Sequence, residues 1–161
     1  MPTYGIYAGF ELYEGTPVRP GSEEYLDSEK YQYRPRDWAA AEAEGRSLAP
    51  YLTLLNRIRR AHPSMHTLRG ITFHETSHPE VIAYSRRDQD DCVLTICTLN
   101  PKHSVGATVR LEMPALGLDW DDTFHATDEI SGAEWQWGRE VYVELDPFRA
   151  VAHIVSVGSR G

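Results

Sequence analysis

The chain has 161 residues, of which 41% are hydrophobic and 25% are charged, and its formal net charge is −8. This length suits one ordinary domain, or one domain with part of another. The negative charge repels phosphate backbones and argues against nucleic acid as a partner. No apolar run approaches the roughly 18 residues of a membrane-spanning helix, and the first residues lack a signal-peptide pattern. We therefore expect a cytoplasmic protein without membrane contact.

The N-terminal part of the sequence combines a long loop with two helices. Residues 5–36 are rich in tyrosine, glycine and proline, and a loop of this length in a compact protein is usually functional or disordered. The tyrosines argue against disorder. Asp37–Glu44 is predicted to be a short helix, with Asp37 as its N-cap and Gly45 as its end signal.

The clearest predicted helix covers Ser47–Arg60, because Ser47 can cap it and Pro63 prevents its continuation. Apolar residues recur at helical spacing along it and form one face that is suited to burial. These residues are Leu48, Tyr51, Leu52, Leu55 and Ile58.

Beyond residue 63 the sequence consists of short β-type runs between turn residues, which predicts an antiparallel β-sandwich. The eight predicted strands are Ile71–His74, Val81–Arg86, Val93–Leu99, Ala107–Met113, Thr123–Thr127, Glu134–Trp137, Glu140–Leu145 and Ala150–Val157. Cys92 and Cys97 lie five residues apart in what reads as a strand. They would face opposite sides of a strand, beyond disulfide reach, so we expect two reduced thiols.

Residues 74–78 read His-Glu-Thr-Ser-His and match the H-E-x-x-H pattern of zinc proteases. That pattern requires a helix, so that both imidazoles reach one ion. Pro79 disfavours helical geometry at His78, and the flanking residues are β-prone. We therefore predict a hairpin turn here and no metal site. The remaining histidines show no ligand spacing and are expected to be surface or core residues.

Two further patterns leave alternatives open. Aromatic residues in the β region could stack on sugar rings, although in strands they more often belong to the core; they are Trp120, Trp135, Trp137 and Tyr142. The acidic residues of the N-terminal loop suggest a glycosidase, which needs two carboxylates about 5 Å apart in retaining enzymes. Solvated loop carboxylates are the simpler interpretation. They include Glu11, Glu14, Glu23, Glu24, Asp27 and Glu29.

A family resemblance is carried by Tyr4–Trp38, YGIYAGFELYEGTPVRPGSEEYLDSEKYQYRPRDW. This stretch resembles the eighth β/α unit of the α-1,4-glucan:maltose-1-phosphate maltosyltransferases of glycoside hydrolase family 13. Residues 7–11, YAGFE, resemble the Y-x-G-x-E that follows the last barrel strand across the α-amylase superfamily. Further matches extend the likeness over nearly the whole chain: LAPYLTLLNRIRRAHP, VIAYSRR, TLNPKH and MPALGL.

The resemblance implies a mixed fold. Residues 1–63 would be the last strand, active-site loop and closing helices of a (β/α)8 TIM barrel. Residues 64–161 would be an antiparallel β-sandwich of the α-amylase C-terminal type. The apolar face of the helix at Ser47–Arg60 would then lack its partner sheet. It would repack on the sandwich, associate with another chain or remain partly exposed.

The resemblance also implies a function. The family's aspartate nucleophile, glutamate acid/base and aspartate stabiliser would lie upstream of Met1, so we expect no catalytic residue, cofactor or metal in this chain. Lys30 and Tyr31 match the family's Lys-Tyr pair, which binds the maltosyl donor. The expected substrates of the full-length enzyme are α-maltose 1-phosphate and an α-1,4-glucan. The chain by itself is expected to be inactive.

Two alternatives to this function remain. The chain could be an α-glucan-binding module without activity, or a purely structural sandwich that works only when joined to a missing barrel chain. The family is homodimeric, but its dimer contact is assigned to upstream domains. The sequence therefore leaves the oligomeric state of this chain open.

Overall fold

The computed structural model describes residues 5–26 and 33–160. The chain divides into two compact units, and the division falls between Asn56 and Arg57, within a helix. None of the helices in the described residues is long and apolar enough to cross a membrane.

The first unit contains a 3-10 turn, Phe10–Leu12, and the helices α1 (Trp38–Ala43) and α2 (Ala49–Ala61), the last of which runs past the division. At the start of α1, Oδ1 of Asp37 accepts a hydrogen bond from the backbone N–H of Ala40 at 2.9 Å. At the start of α2, Oγ of Ser47 accepts one from the N–H of Ala49 at 3.1 Å. Both predicted helices are confirmed, with boundaries shifted by one or two residues.

The first unit buries few of its residues. Gly9 and Ala41 are the only buried ones in the ranges 5–26 and 33–56. The predicted apolar face of α2 is only half-buried at Leu48, Tyr51, Leu52 and Leu55. This unit therefore has no apolar core of its own within the described residues.

The second unit is an antiparallel β-sandwich in which all eight predicted strands are present. The strands are β1 (Ile71–Thr76), β2 (Val81–Asp88), β3 (Asp91–Thr98), β4 (Val105–Arg110), β5 (Phe124–Asp128), β6 (Glu134–Trp137), β7 (Glu140–Leu145) and β8 (Ala152–Arg160). Across the sheet their order is β6-β5-β8-β3-β2-β1-β4-β7.

One predicted strand extended into residues that form a helix in the structure. The run Ala107–Met113 was expected to be one strand, but β4 ends at Arg110 and the short helix α3 follows at Met113–Leu116. Pro114 is well tolerated in the first turn of a helix, and Gly117, with φ of 83°, ends it in the left-handed conformation.

Strand β1 joins the two layers of the sandwich. Ile71–His74 pair with β2, whereas Glu75 and Thr76 pair with β4. A strand that changes partners in this way forms a corner, so that β4 and β7 fold over the remaining sheet. The core between the layers includes Leu94, Ile96, Phe124 and Ala126 from one side, and Val105, Ala107, Val109, Val141, Val143 and Leu145 from the other.

The central strand β3 is buried on both faces. Cys92, Leu94 and Ile96 belong to the sandwich core, and Val93 and Thr95, which alternate with them, are buried as well. A 3-10 turn at Pro63–Met65 packs against β2 and β3.

Asp91, at the start of β3, fixes this 3-10 turn. One carboxylate oxygen lies 2.7 Å from Nδ1 of His62, and the other accepts a hydrogen bond from the N–H of Ser64 at 2.8 Å. Burial opposes ionisation of Asp91, but the hydrogen bonds from Ser64 and His62 outweigh it and lower its pKa.

A second carboxylate, that of Asp128, is buried and connects the end of β5 to β8. It accepts hydrogen bonds from the N–H of Ile154 at 3.0 Å and from Oγ of Ser131 at 2.6 Å, and it lies 3.1 Å from Nδ1 of His153. Burial alone would raise the pKa of Asp128. The hydrogen bonds from His153, Ser131 and Ile154 instead lower that pKa to about 2.

His74 lies at the corner formed by β1 and is 7% exposed. Its Nδ1 accepts a hydrogen bond from the N–H of Glu112 at 3.1 Å, while its Nε2 is buried without a hydrogen-bond partner among the described residues. Burial lowers the pKa of His74 to about 4. The imidazole is therefore neutral at pH 7.

We predict that Asp128→Ala lowers the free energy of unfolding by about 3 kcal/mol, because the donors around the lost carboxylate remain buried without an acceptor. Urea denaturation at pH 7 measures this change. Glu144→Ala removes an exposed carboxylate from β7 and serves as the matched control, with an expected change of less than about 0.5 kcal/mol. Equal losses in the two variants would contradict the role of Asp128.

The pKa of His74 predicts a pH dependence of stability. An unfolded histidine takes up a proton near pH 6.5, whereas His74 in the fold does so only near pH 4. Between these values the unfolded state binds more protons. The free energy of unfolding therefore falls as the pH is lowered from about 6.5 to about 4, by at most about 1.4 kcal/mol per pH unit.

The variant His74→Asn keeps an acceptor near the position of Nδ1 and removes the titrating group. Denaturation of the wild type and of this variant is compared at pH 7, 5.5 and 4.5. The difference between their free energies of unfolding is expected to shift in favour of the variant as the pH falls. His125→Asn, at an exposed position of β5, is the control. A difference that stays constant over this range for His74→Asn would show that the buried imidazole does not cause the dependence.

Candidate functional site

The predicted donor-binding residues, Lys30 and Tyr31, lie outside the described residues. The nearest described positions before and after them are Leu26 and Tyr33. Leu26 and Arg34 line one cavity of about 220 Å³ in the first unit. We therefore take this cavity, which the described part of the loop lines, as the candidate site.

The chain makes a sharp turn at Gly9, which has a φ of 104° and lies between the cavity-lining residues Ala8 and Leu12. The N–H of Gly9 donates to Oε2 of Glu11 at 3.2 Å, and the carbonyl of Gly9 accepts a hydrogen bond from the N–H of Glu14 at 3.1 Å. A Cβ atom at position 9 would overlap the Glu14 carboxylate. Both the positive φ and this close approach require glycine in the YAGFE stretch.

An ion pair between Glu14 and Arg36 connects two parts of the loop that are 22 residues apart. Nε of Arg36 donates to Oε1 of Glu14 and Nη2 donates to Oε2, each at 2.9 Å. Nη1 of Arg34 lies 3.4 Å from Oε2 of the same carboxylate. The hydrogen bonds from Arg36 lower the pKa of Glu14. A two-point contact of this kind fixes orientation as well as distance.

Between Glu14 and Leu26 the chain folds back on itself. Pro17 and Tyr25 form an antiparallel bridge, the N–H of Val18 donates to the carbonyl of Glu24 at 2.8 Å, and the N–H of Leu26 donates to the carbonyl of Thr16 at 2.7 Å. This hairpin returns Tyr25 and Leu26 to the cavity wall.

We call this cavity the loop site, and define it by Tyr7, Tyr13, Glu14, Tyr25, Arg34 and Arg36. The three tyrosine side chains are 63%, 63% and 49% exposed, respectively. Tyrosine offers an apolar ring face and a hydroxyl that donates and accepts hydrogen bonds, and arginine offers several donors. These groups suit a neutral ligand with many hydroxyls.

Glu14 is the one carboxylate among the described residues that line the loop site. Its lowered pKa keeps it ionised near neutral pH, which is unsuitable for a general acid. The interpretation of the loop carboxylates as simply solvated was wrong for Glu14, because it is held by arginine. No local pattern indicates a partner 22 residues away, so the sequence analysis missed this pair.

The predicted hairpin at residues 74–78 is confirmed. His74 pairs with Ala83 within the β1–β2 ladder, and His78 lies in the following turn, where its Nδ1 accepts a hydrogen bond from the N–H of Glu80 at 3.2 Å. The part of the chain that the structure describes contains no group of three or more His, Cys, Asp or Glu side chains that could hold a metal ion.

The aromatic residues of the β region divide into two groups. Trp135 and Trp137 stack with their ring centroids 5.2 Å apart and pack against the core, as expected for strand residues. Trp120 is 45% exposed, with the Arg139 guanidinium 4.8 Å from the ring centroid, and Tyr142 is 68% exposed.

Both cysteines are free, as expected. Burial raises the pKa of Cys92 to about 12, and burial also raises the pKa of the half-buried Cys97. Thiols of this kind are poor nucleophiles at neutral pH. We therefore assign neither of them a chemical role.

Among proteins of known sequence, the chain is 53% identical to the α-1,4-glucan:maltose-1-phosphate maltosyltransferase 2 of Streptomyces coelicolor. This similarity covers 97% of the chain and 23% of the relative. The chain thus spans about a quarter of the length of the curated relatives it matches.

Two solved structures share the fold at low sequence identity. A variant of AmyP in complex with maltotriose matches with a TM-score of 0.53 and 16% identity, over 71% of this chain and 21% of that chain. The noncanonic maltogenic α-amylase AmyB from Thermotoga neapolitana matches with a TM-score of 0.51 and 13% identity, over 83% of this chain and 28% of that chain. These matches bear out a sandwich like those of α-amylases.

The family model described as "GLGE, C-terminal" matches residues 73–157, which is more than half of the chain and lies within the sandwich. The high identity to a maltosyltransferase over nearly the whole chain agrees with this match. The chain therefore belongs to the GLGE C-terminal family.

Proposed function

We propose that this chain is the C-terminal part of an α-1,4-glucan:maltose-1-phosphate maltosyltransferase. Such an enzyme moves maltosyl units from α-maltose 1-phosphate to the non-reducing end of an α-1,4-glucan. The observation that carries the proposal is the 53% identity over 97% of the chain. Because this similarity includes the loop site as well as the sandwich, it supports a role for both units in the same enzyme.

In this proposal, residues 1–63 complete a (β/α)8 barrel and residues 64–161 form its C-terminal sandwich domain. The distribution of buried residues supports this division of roles. The sandwich has a core of its own, whereas the first unit buries only Gly9 and Ala41 among its described residues. When a segment is one part of a larger domain, its apolar side chains are expected to be covered by the rest of that domain.

We assign binding of the maltosyl donor to Lys30 and Tyr31. Both lie in the chain between Leu26 and Arg34, which line the loop site. A lysine offers three hydrogen-bond donors to sugar hydroxyls, and a tyrosine offers a ring face and a hydroxyl. The Glu14–Arg36 pair supports the role by connecting the parts of the loop before and after these two residues.

The proposal predicts the activity of a chimaera in which this chain replaces the matching segment of the Streptomyces coelicolor relative. The chimaera is expected to release phosphate from α-maltose 1-phosphate in the presence of glucan, whereas the 161-residue chain alone is not. In the chimaera, Lys30→Ala is expected to lower kcat/KM about 10- to 100-fold, because one hydrogen bond from a charged donor is lost.

Lys102→Ala is the matched control. Lys102 is the only other lysine in the sequence and is exposed in the turn after β3, so its loss is expected to leave kcat/KM unchanged. An unchanged rate in Lys30→Ala would reject the assignment of that residue. Phosphate release by the 161-residue chain alone would reject the division of roles.

A second candidate function is α-glucan binding without cleavage. It is favoured by the exposed tyrosine rings around the loop site. Aromatic faces and neutral hydroxyls are suited to sugars, and binding of this kind requires no catalytic carboxylate pair.

This candidate predicts that the 161-residue chain binds maltoheptaose, as measured by isothermal titration calorimetry. Tyr13→Ala is expected to weaken binding about 5-fold, the effect of roughly 1 kcal/mol of ring contact. Phe148→Ala, which removes an exposed ring from the turn after β7 and outside the loop site, is expected to leave the affinity unchanged. Absence of heat with the wild type would count against glucan binding by this chain.

A further inference from the structure

An exposed tyrosine lies against a glycine on the outer face of the layer that β4 and β7 form. Tyr142 of β7 is 68% exposed, and its register partner on β4 is Thr108. Gly106 precedes Thr108 by two residues and lies on the same exposed face. A Cβ atom at position 106 would overlap the hydroxyl of Tyr142 and lie 3.1 Å from its Cζ atom. The ring of Tyr142 therefore leans along the sheet and extends over Gly106.

This contact leaves one face of the tyrosine ring open. A ring inclined along a sheet turns one face toward the backbone and the other toward solvent, in agreement with the exposure of Tyr142. Glycine inside a strand often marks the close approach of another group, and at Gly106 this group is the tyrosine. The open face of such a ring is apolar and is suited to stacking on the C–H face of a sugar ring.

Unpaired polar groups flank the ring. Glu144 lies two residues beyond Tyr142 on the same exposed face, and its carboxylate has no hydrogen bond or ion pair with any residue that the structure describes. Glu140, on the other side of Tyr142, accepts a hydrogen bond from Nε of Arg110 at 2.9 Å. The Glu144 carboxylate can therefore accept hydrogen bonds from the hydroxyls of a ligand, and the Thr108 hydroxyl can donate one.

The charges around Tyr142 favour a neutral ligand. Arg110 is hydrogen-bonded to Glu140 and, at 3.3 Å, to Glu75, so this one cation faces two carboxylates while Glu144 adds a third. A phosphorylated ligand would be repelled by this excess of negative charge. A neutral ligand with many hydroxyls avoids that repulsion and can bind the carboxylate through its hydroxyl groups.

Two other exposed rings of the sandwich are less suited to stacking, because each already contacts another group. The guanidinium of Arg139 lies 4.8 Å from the centroid of the Trp120 ring. The rings of Phe73 and Tyr84 are tilted against each other, with centroids 5.9 Å apart. Tyr142 instead combines an open ring face with polar groups that are available to a ligand.

We propose that Tyr142, Glu144 and Thr108 form a surface site for an α-1,4-glucan on the sandwich. A glucose unit of the chain stacks on the open face of Tyr142, while its hydroxyls donate to Glu144 and accept from Thr108. The site belongs to the second unit, whereas the loop site belongs to the first. The choice of an α-1,4-glucan among neutral sugars rests on the proposed function, but the location rests on the geometry of Tyr142.

The test is native gel electrophoresis of the 161-residue chain with and without glycogen, a branched α-1,4-glucan, in the gel. All proteins carry Tyr13→Ala, which removes a ring of the loop site. Glycogen is expected to slow the migration of this chain. Adding Tyr142→Ala is expected to raise the apparent Kd for glycogen about 5-fold, because one ring contact is lost. Phe148→Ala removes an 80% exposed ring from the turn after β7, and this matched control is expected to leave the Kd unchanged.

A second variant tests the orientation of the ring. Gly106→Ala places a methyl group where the Tyr142 hydroxyl lies, so it lifts the ring from the sheet without removing it. It is expected to weaken glycogen binding about as much as Tyr142→Ala. Tyr142→Phe keeps the ring face and is expected to change the Kd less than about 2-fold.

Folding of each variant is checked by its urea unfolding midpoint, and binding is compared among the folded variants. If Tyr142 only covers Gly106, its removal lowers the unfolding midpoint but leaves glycogen binding unchanged. That result overturns the proposal. The proposal is also overturned if glycogen does not slow the Tyr13→Ala chain.

The chimaera described above separates this proposal from the proposed function. Glycogen binding that depends on Tyr142, together with an inactive chimaera, supports the surface site and counts against the function. An active chimaera, together with glycogen binding that Tyr142→Ala leaves unchanged, supports the function and overturns the surface site.

Discussion

The sandwich depends on the change of partners within β1. Ile71–His74 extend the larger layer, and Glu75 and Thr76 begin the smaller one, so a single strand holds both layers at the spacing that the core requires. The apolar residues of β3 and β4 meet only because of this corner. His74 is buried at the corner and remains neutral there, since solvation of a charged imidazole is lost.

Two carboxylates, those of the half-buried Asp91 and the buried Asp128, hold the outer connections of the sandwich to this frame. Asp91 binds the segment at His62 and Ser64, and Asp128 binds the turn at Ser131 together with β8. Each carboxylate satisfies backbone as well as side-chain donors, which offsets the cost of its own burial. The sandwich therefore has both a core and closed connections within the residues described.

The first unit has neither of these features in comparable measure. Its organisation comes from the turn at Gly9 and from the ion pair of Glu14 and Arg36, while its apolar side chains remain partly exposed. Polar contacts of this kind shape a loop but bury little apolar surface. The burial of apolar surface is the main source of stability in folded proteins. This contrast supports the proposal that residues 1–63 complete a barrel.

The sequence by itself determined the two helices, the eight strands and the hairpin at residues 74–78, because helical and strand periodicities and turn residues act over short distances. It also determined the family, through stretches that run along the whole chain. Only the tertiary structure decided that Glu14 pairs with Arg36, that Asp91 pairs with His62 and that β4 stops at Arg110. These outcomes depend on which side chains meet after the chain has folded. The spacing of neighbouring residues in the sequence does not indicate a partner that is 22 or 29 residues away.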